Sequence, residues 1–175
     1  MGWWLVDLLR RRWSATPFHE EDIWLLSVAE LSGLGVVWLI KPTTYMNRSG
    51  IAVRRLLEED ELDLAADLLV VVDDVALEPG RPRFRARGSA GSHNGLQSIE
   101  DALGTREYSR LRIGVGGPPP GIELADWVLS EFDDPADEDA VLAALPRLVE
   151  GVEVWARKGI DAAMNRYNVP VNSQD

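Results

Sequence analysis

The sequence contains no cysteine, only two histidines, His19 and His93, and only two lysines, Lys41 and Lys158. Disulfides and thiolate metal sites are thereby excluded, and two isolated histidines argue against a histidine-based zinc site, so no metal is expected. No apolar run approaches the roughly 18 residues of a membrane span. The opening Met1-Gly2-Trp3-Trp4 followed by Arg10-Arg11-Arg12 does not have the order of a secretory signal, and a cytoplasmic protein free of membranes is expected. What is there is a chain of 175 residues, 46% hydrophobic and 27% charged, long enough to bury a proper core as one domain. No internal repeat is visible. The domain is expected over 1–168, with 169–175 a fraying tail.

Positive charge is also scarce, the net charge being −11. That disfavours nucleic acid at first sight, because phosphates need local cations. The distribution of charge reverses the conclusion. Between Arg81 and Arg112 seven arginines (81, 83, 85, 87, 106, 110 and 112) stand against Glu100, Asp101 and Glu107, so this segment carries +4 and the rest of the protein −15. One basic stripe on an acidic protein can guide a polyanion to one face. A solvated alternating strand would account for the same charges.

Periodicity gives the elements in order. Gly2 to Trp13 places Trp3, Leu5, Val6, Leu8 and Leu9 on one side of a helix, with Asp7 and the arginines opposite. Ile23–Val28 and Gly35–Ile40 are short, apolar and β-branched and read as strands, separated by turn residues around Ser32-Gly33. His19 falls in a polar connector before them. After Lys41-Pro42-Thr43-Thr44 the pattern turns helical through Met46, Ile51, Val53, Leu56 and Leu57. Leu68–Val72 is a fully apolar strand ending in Asp73-Asp74, where open α/β sheets keep their sites. A turn-forming aspartate before Pro79-Gly80 is the other reading of Asp73. Arg83-Phe84-Arg85 alternates as a half-exposed strand, with two arginines about 7 Å apart on one face, a match to successive phosphates. A helix is expected from Asn94 to Leu103, a strand over Leu111–Gly116, a short amphipathic segment over Ile122–Ser130 after a Pro-rich break, a long helix over Asp137–Gly159 and a short one over Asp161–Asn168.

The loop Gly88-Ser89-Ala90-Gly91-Ser92-His93-Asn94-Gly95 brings one histidine and one amide to the start of a helix. Glycines let the backbone approach a ligand closely, and an imidazole beside an amide suits a carbonyl or a phosphate. The alternative is a plain strand-to-helix connection in which Ser92 or Asn94 caps the helix. Asn47 at the start of one helix, Asp73 at the end of a strand and His93-Asn94 in this loop all stand at ends of core elements.

Taken with Lys41-Pro42-Thr43-Thr44-Tyr45-Met46-Asn47-Arg48-Ser49-Gly50, these residues resemble the bacterial peptidyl-tRNA hydrolase family, whose members carry a KPxTYMNxSG block, a strand ending in an acidic pair before a PG turn, and GSAGxHNG. Arg110–Gly116 is similar to the family's RLRIGxG strand, and Trp127-Val128-Leu129 to its lid region. The resemblance runs from Gly2 to about Asn168. It implies a single α/β domain, a mixed twisted β-sheet flanked by helices in three α/β/α layers, with no metal or organic cofactor; a monomer is expected, though nothing in the residues fixes the oligomeric state. The implied reaction is hydrolysis of the ester between a peptide and the 3′ ribose of tRNA. The resemblance further implies that Asp73 and Asn47 orient the catalytic base, that Tyr45, Met46, Asn47, Gly91, His93, Asn94 and Val128 line the substrate cleft with Asn94 holding the substrate, and that Arg83, Arg85 and Arg112 grip the tRNA acceptor stem.

One part of the family pattern has no counterpart here. The base is the histidine of a TRHNxG motif that follows a strand ending GLGNPG, and Met1–Leu9 aligns with the helix after that motif. His19 does not replace it. The catalytic base is therefore expected to be missing from this polypeptide, either because its segment is encoded upstream of Met1 or because the protein is a true truncation that kept the RNA-binding face, and hydrolysis is expected to be impaired. Two other functions fit parts of the pattern: a non-catalytic RNA-binding protein on the same fold, and a hydrolase of some other ester or amide.

Overall fold

The computed structural model describes residues 1–59, 61–119, 121–122, 127, 132 and 134–169. The first helix, α1 (Gly2–Arg12), buries Leu5 and Leu9 and places Arg10, Arg11 and Arg12 in its last turn, where cations meet the partial negative charge of a helix end. Strands β1 (His19–Glu21), β2 (Trp24–Leu31) and β3 (Gly35–Pro42) follow as an antiparallel meander, with Glu21 opposite Trp24 and Leu31 opposite Gly35. Strand β1 corrects the expected connector. Its three side chains are polar and exposed, so only its pairing with β2 makes it a strand, and charged side chains suit an edge.

A 3₁₀ turn, Met46–Arg48, leads into α2 (Ser49–Glu59). Strand β4 (Leu69–Asp74) takes in Asp73 and Asp74, and β5 (Pro82–Arg85) precedes α3 (Asn94–Leu103) and β6 (Ser109–Gly114). β6 lies centrally, parallel to β4 and antiparallel to β5. The last described element is α4 (Pro135–Tyr167), capped by the Asp134 carboxylate on the Ala136 N–H. The two expected C-terminal helices are the two halves of α4. They are separated at Gly159, whose φ of 80° and ψ of 175° no helix contains, a conformation that favours glycine.

Side chains alternate across the strands and define three layers. Leu111 and Ile113 of β6 and Phe84 of β5 join Leu5 and Leu9 of α1 and Leu145, Leu148, Val149 and Val152 of α4 in the main core. On the opposite face Val72 and Tyr108 pack with Val53 of α2 and Leu96 and Ile99 of α3. The expected mixed sheet is hydrogen-bonded as two three-stranded ladders, β1-β2-β3 and β4-β6-β5. Helix α1 packs against both β3 and β4, and its Gly2 lies so close to β4 that a Cβ would stand 3.0 Å from the Val71 carbonyl oxygen. Among the described residues β4 is paired on its β6 side only. None of their helices is long and apolar enough to cross a membrane.

Candidate active site

The loop from Gly88 to Asn94 is fastened at both ends. Arg112 of β6 reaches it with one nitrogen, Nη2, donating to the carbonyl oxygens of Ser89 at 2.8 Å and Ala90 at 3.3 Å, while Nη1 donates to Asp74 Oδ2 at 3.2 Å. At the other end His93 caps α3, its Nδ1 accepting the Leu96 N–H at 3.1 Å. The cap is thus neither Ser92 nor Asn94, the two residues offered by the alternative reading of this loop as a plain connection. His93 has the extended backbone of an N-cap, with φ −83° and ψ 104°, and Asn94 is already the first helical residue. An imidazole whose Nδ1 accepts carries its proton on Nε2. Burial favours this neutral ring and lowers the His93 pKa below its ordinary 6.5; the Asp73 carboxylate pulls it back up and Arg112 lowers it further.

Gly95 explains how close the neighbouring elements come. A Cβ there would stand 2.5 Å from Met46 Sδ and 2.9 Å from His93 Cε1, so a larger residue would push these two side chains aside where α3 begins against the Met46–Arg48 turn. The close approach brings Asn47 and Asn94 into the lining of one open groove of ≈ 400 Å³. Their carboxamides are exposed and bond to no described residue. Tyr45 and Met46 are exposed beside them. Asp73, at the end of β4, is near enough for its charge to act on His93. A carboxylate, an imidazole N–H and two free amides therefore collect where β4 ends and α3 begins, a set able to hold and polarise a carbonyl.

The basic stripe divides into two kinds of arginine. In the β5–β6 register Arg83 faces Arg112 and Arg85 faces Arg110, so four guanidinium groups share one face, an arrangement that like-charge repulsion opposes. The inner pair is compensated. Arg112 has Asp74, and fully buried Arg110 has buried Glu100 at 3.4 Å, a hydrogen bond to the Arg106 carbonyl oxygen at 3.1 Å, and the Tyr108 ring 4.1 Å from its carbon. Glu100 also accepts from Arg106 Nε at 3.0 Å. Arg83 and Arg85 form no ion pair with a described residue and remain the free cations of this face.

The structure thus gathers Tyr45, Met46, Asn47, Asp73, His93 and Asn94 at one end of the sheet, with Gly91 in the adjoining loop and Arg83 and Arg85 on the neighbouring strand. Arg112 stands among them with its donors turned to protein oxygens. Val128 lies outside the described residues, as does most of Ile122–Ser130; Trp127 Nε1 donates to the Gly116 carbonyl oxygen at 3.0 Å. His19 sits on β1, its Nε2 3.0 Å from Glu21. Among the described residues no three His, Cys, Asp or Glu side chains are grouped to hold a metal. Sequence reasoning missed the Glu100–Arg110 pair and the groove residues Ile51, Arg54, Gln97 and Asp101. A signal for the groove was available: 47, 51 and 54, like 94, 97 and 101, repeat at helical spacing and fall on one helix face.

Fold and site together define a three-layer α/β protein with amides, an imidazole and a carboxylate at a strand end beside two arginines, one half-buried and one exposed. A sequence model described as "Peptidyl-tRNA hydrolase" matches residues 1–175. The chain is 56% identical over 132 residues to the peptidyl-tRNA hydrolase of Symbiobacterium thermophilum, covering 75% of its own length and 69% of that protein. It is 44% identical over 168 residues to that of Chloroflexus aurantiacus, covering 96% and 88%. The crystal structure of peptidyl-tRNA hydrolase from Acinetobacter baumannii superposes with a TM-score of 0.85 at 26% identity, covering 96% of this protein and 84% of that one. The chain belongs to the peptidyl-tRNA hydrolase family.

Proposed function

We propose that this protein binds peptidyl-tRNA with the ester at the Asp73, Asn47, His93 and Asn94 cluster, as a cytoplasmic monomer acting through one domain over 1–168. The observation that carries this reading is the placement of Arg83 and Arg85, which form no ion pair with a described residue, beside a strand-end cluster of amides, imidazole and carboxylate. The arginines suit a phosphate backbone, read by charge and shape rather than by base identity. Tyr45, Met46, Gly91 and His93 would wall the cleft that receives the peptide. Arg112 serves the same face indirectly, by holding the loop that presents His93 and Asn94.

Hydrolysis of the ester requires a base to take a proton from water as it attacks the carbonyl carbon, and donors for the oxygen as it becomes an oxyanion. The donors are at hand in the Asn47 and Asn94 amides and His93 Nε2–H. The base is not. His93 has a single lone-pair nitrogen while neutral, and that nitrogen accepts the Leu96 N–H; protonating it breaks the helix cap. We therefore assign this polypeptide tight binding and slow hydrolysis. The same observation favours the second reading, an RNA-binding protein on this fold that holds the ester without cleaving it.

Charge tests the RNA assignment. Arg83→Gln and Arg85→Gln should each weaken tRNA binding across sequences and lower the magnitude of the salt slope by about one, as loss of one phosphate contact does. Unchanged affinity in the Arg83→Glu/Arg85→Glu double variant, measured by filter binding at two salt concentrations, would remove RNA from the account.

A further inference from the structure

The protein has three methionines. Met1 and Met164 are partly buried and pack against the main core, whereas Met46 is 55% exposed. The Met46 thioether stands inside the candidate site. The point that a Cβ on Gly95 would occupy is 2.5 Å from Met46 Sδ, 2.9 Å from His93 Cε1 and 3.3 Å from His93 Nδ1, so sulfur and imidazole flank one bare backbone position at the start of α3. Ser49 closes the other side. Its Oγ lies 3.8 Å from Met46 Sδ and donates to the Met46 carbonyl oxygen at 2.8 Å. Asn47 follows Met46 and Asn94 precedes Gly95, so both site carboxamides belong to residues adjoining this contact.

A thioether that solvent reaches is open to oxidation, and the product changes its character. Methionine sulfoxide is polar and chiral where methionine is flexible and apolar. The thioether sulfur is a weak acceptor, whereas the sulfoxide oxygen is a strong one. Around Met46 two hydrogens are within the neighbourhood of such an oxygen: the Ser49 hydroxyl and the His93 N–H, carried on Nε2, the atom bonded to Cε1. A sulfoxide here competes with the substrate carbonyl for the imidazole N–H and places a polar group on the wall that faces the peptide.

We infer that Met46 is an oxidation site, and that its conversion to the sulfoxide by a peroxide weakens binding of the peptidyl ester while leaving the RNA contacts in place. A sulfur lone pair attacks one peroxide oxygen, and the S–O bond forms as the O–O bond breaks. The second oxygen leaves as hydroxide and takes the proton carried by the first, giving water; sulfur is oxidised by two electrons and the peroxide reduced by two. Arg83 and Arg85 lie on β5 and carry no group that a dilute peroxide attacks. The inference rests on the ester site proposed above, because the sulfoxide acts through His93.

The test exposes the 175-residue chain, folded, to dilute hydrogen peroxide and locates the added oxygen by peptide mass mapping. Met46 should be converted before Met1 and Met164. Titration calorimetry with adenosine carrying N-acetylalanine in stable 3′-amide linkage should show affinity falling about fivefold, the worth of one net hydrogen bond of about 1 kcal/mol, with the affinity for deacylated tRNA unchanged. Methionine sulfoxide reductases A and B, one for each epimer, should together restore the affinity. In Met46→Leu, which has no sulfur at this position, peroxide should leave the variant's own probe affinity where it was. The inference is overturned, and the ester site left intact, by conversion no faster at Met46 than at Met1 and Met164, by equal probe binding before and after oxidation, by an equal loss in Met46→Leu, or by a parallel loss of deacylated tRNA. Failure of the untreated protein to bind the probe overturns the ester site itself and the inference with it.

Discussion

Replacing Asn168 by alanine removes the side chain that finishes strand β5. Asn168 Oδ1 accepts the Phe84 N–H at 2.7 Å, and its Nδ2 donates to the Phe84 carbonyl oxygen at 3.0 Å. Its carboxamide thereby plays the part of a neighbouring strand at the one edge of β5 that β6 does not cover. The Phe84 ring is fully buried, 6.1 Å from the Tyr167 ring, so the two backbone groups cannot turn outward without unseating it. Orphaning a buried polar group costs about 1–3 kcal/mol. Asn168 is only half-buried, and water can reach part of the gap, so the two losses together should come to about 2–4 kcal/mol. Urea unfolding followed by tryptophan fluorescence should show the midpoint falling with an unchanged slope. The perturbation should also loosen Arg83 and Arg85, which flank Phe84, and weaken tRNA binding in the folded protein. A stability change below about 0.5 kcal/mol, the scatter of neutral surface substitutions, would refute the view that Asn168 completes this strand.

Two further outcomes follow from the polar interior. Glu100→Gln leaves the fully buried Arg110 without its countercharge and should cost about 3–5 kcal/mol in thermal or urea unfolding, whereas Glu100→Leu combined with Arg110→Met should recover most of that loss, since an apolar pair avoids the desolvation penalty; equal losses in the two proteins would contradict the pairing. The His93 pKa lies below its ordinary 6.5 in the folded protein, so as pH falls through 6.5 the unfolded protein takes up a proton that the native ring refuses. Stability should therefore decline from pH 6.5 down to the lowered native value and level off below it. His93→Asn, which retains a capping oxygen and does not titrate, should lose that part of the pH dependence; identical pH profiles for parent and variant would show that His93 is not the group responsible.

Much of the fold was legible because the signals are local. The 3.6-residue stripe of α1, the β-branched runs of β2, β3 and β4, the alternation of Arg83-Phe84-Arg85 and the bounds of α3 all follow from period and punctuation, and Gly159 announced the break in α4. What was hidden depends on distant partners. Strand β1 exists only through pairing with β2, and the division into two ladders is a property of hydrogen bonds between strands that no single segment carries. In the site, residue type offers Ser92 or Asn94 as the cap on α3, whereas the imidazole of His93 takes the position. The charge stripe was legible as a count and misleading as a surface: Arg110 and Arg112 turn inward to Glu100 and Asp74, leaving fewer free cations than the sequence total of that segment suggests.

On the proposed reading, this polypeptide holds the peptidyl-tRNA ester without an available base among its described residues. Single-turnover assay of N-acetylated peptidyl-tRNA with the protein in excess, following both retention of the tRNA and release of the peptide, tests it directly. The expected result is a retained complex in which the ester is lost no faster than it is in buffer. Rapid release that disappears in His93→Ala would contradict it, because His93 would then be acting as the base that its bond to Leu96 withholds.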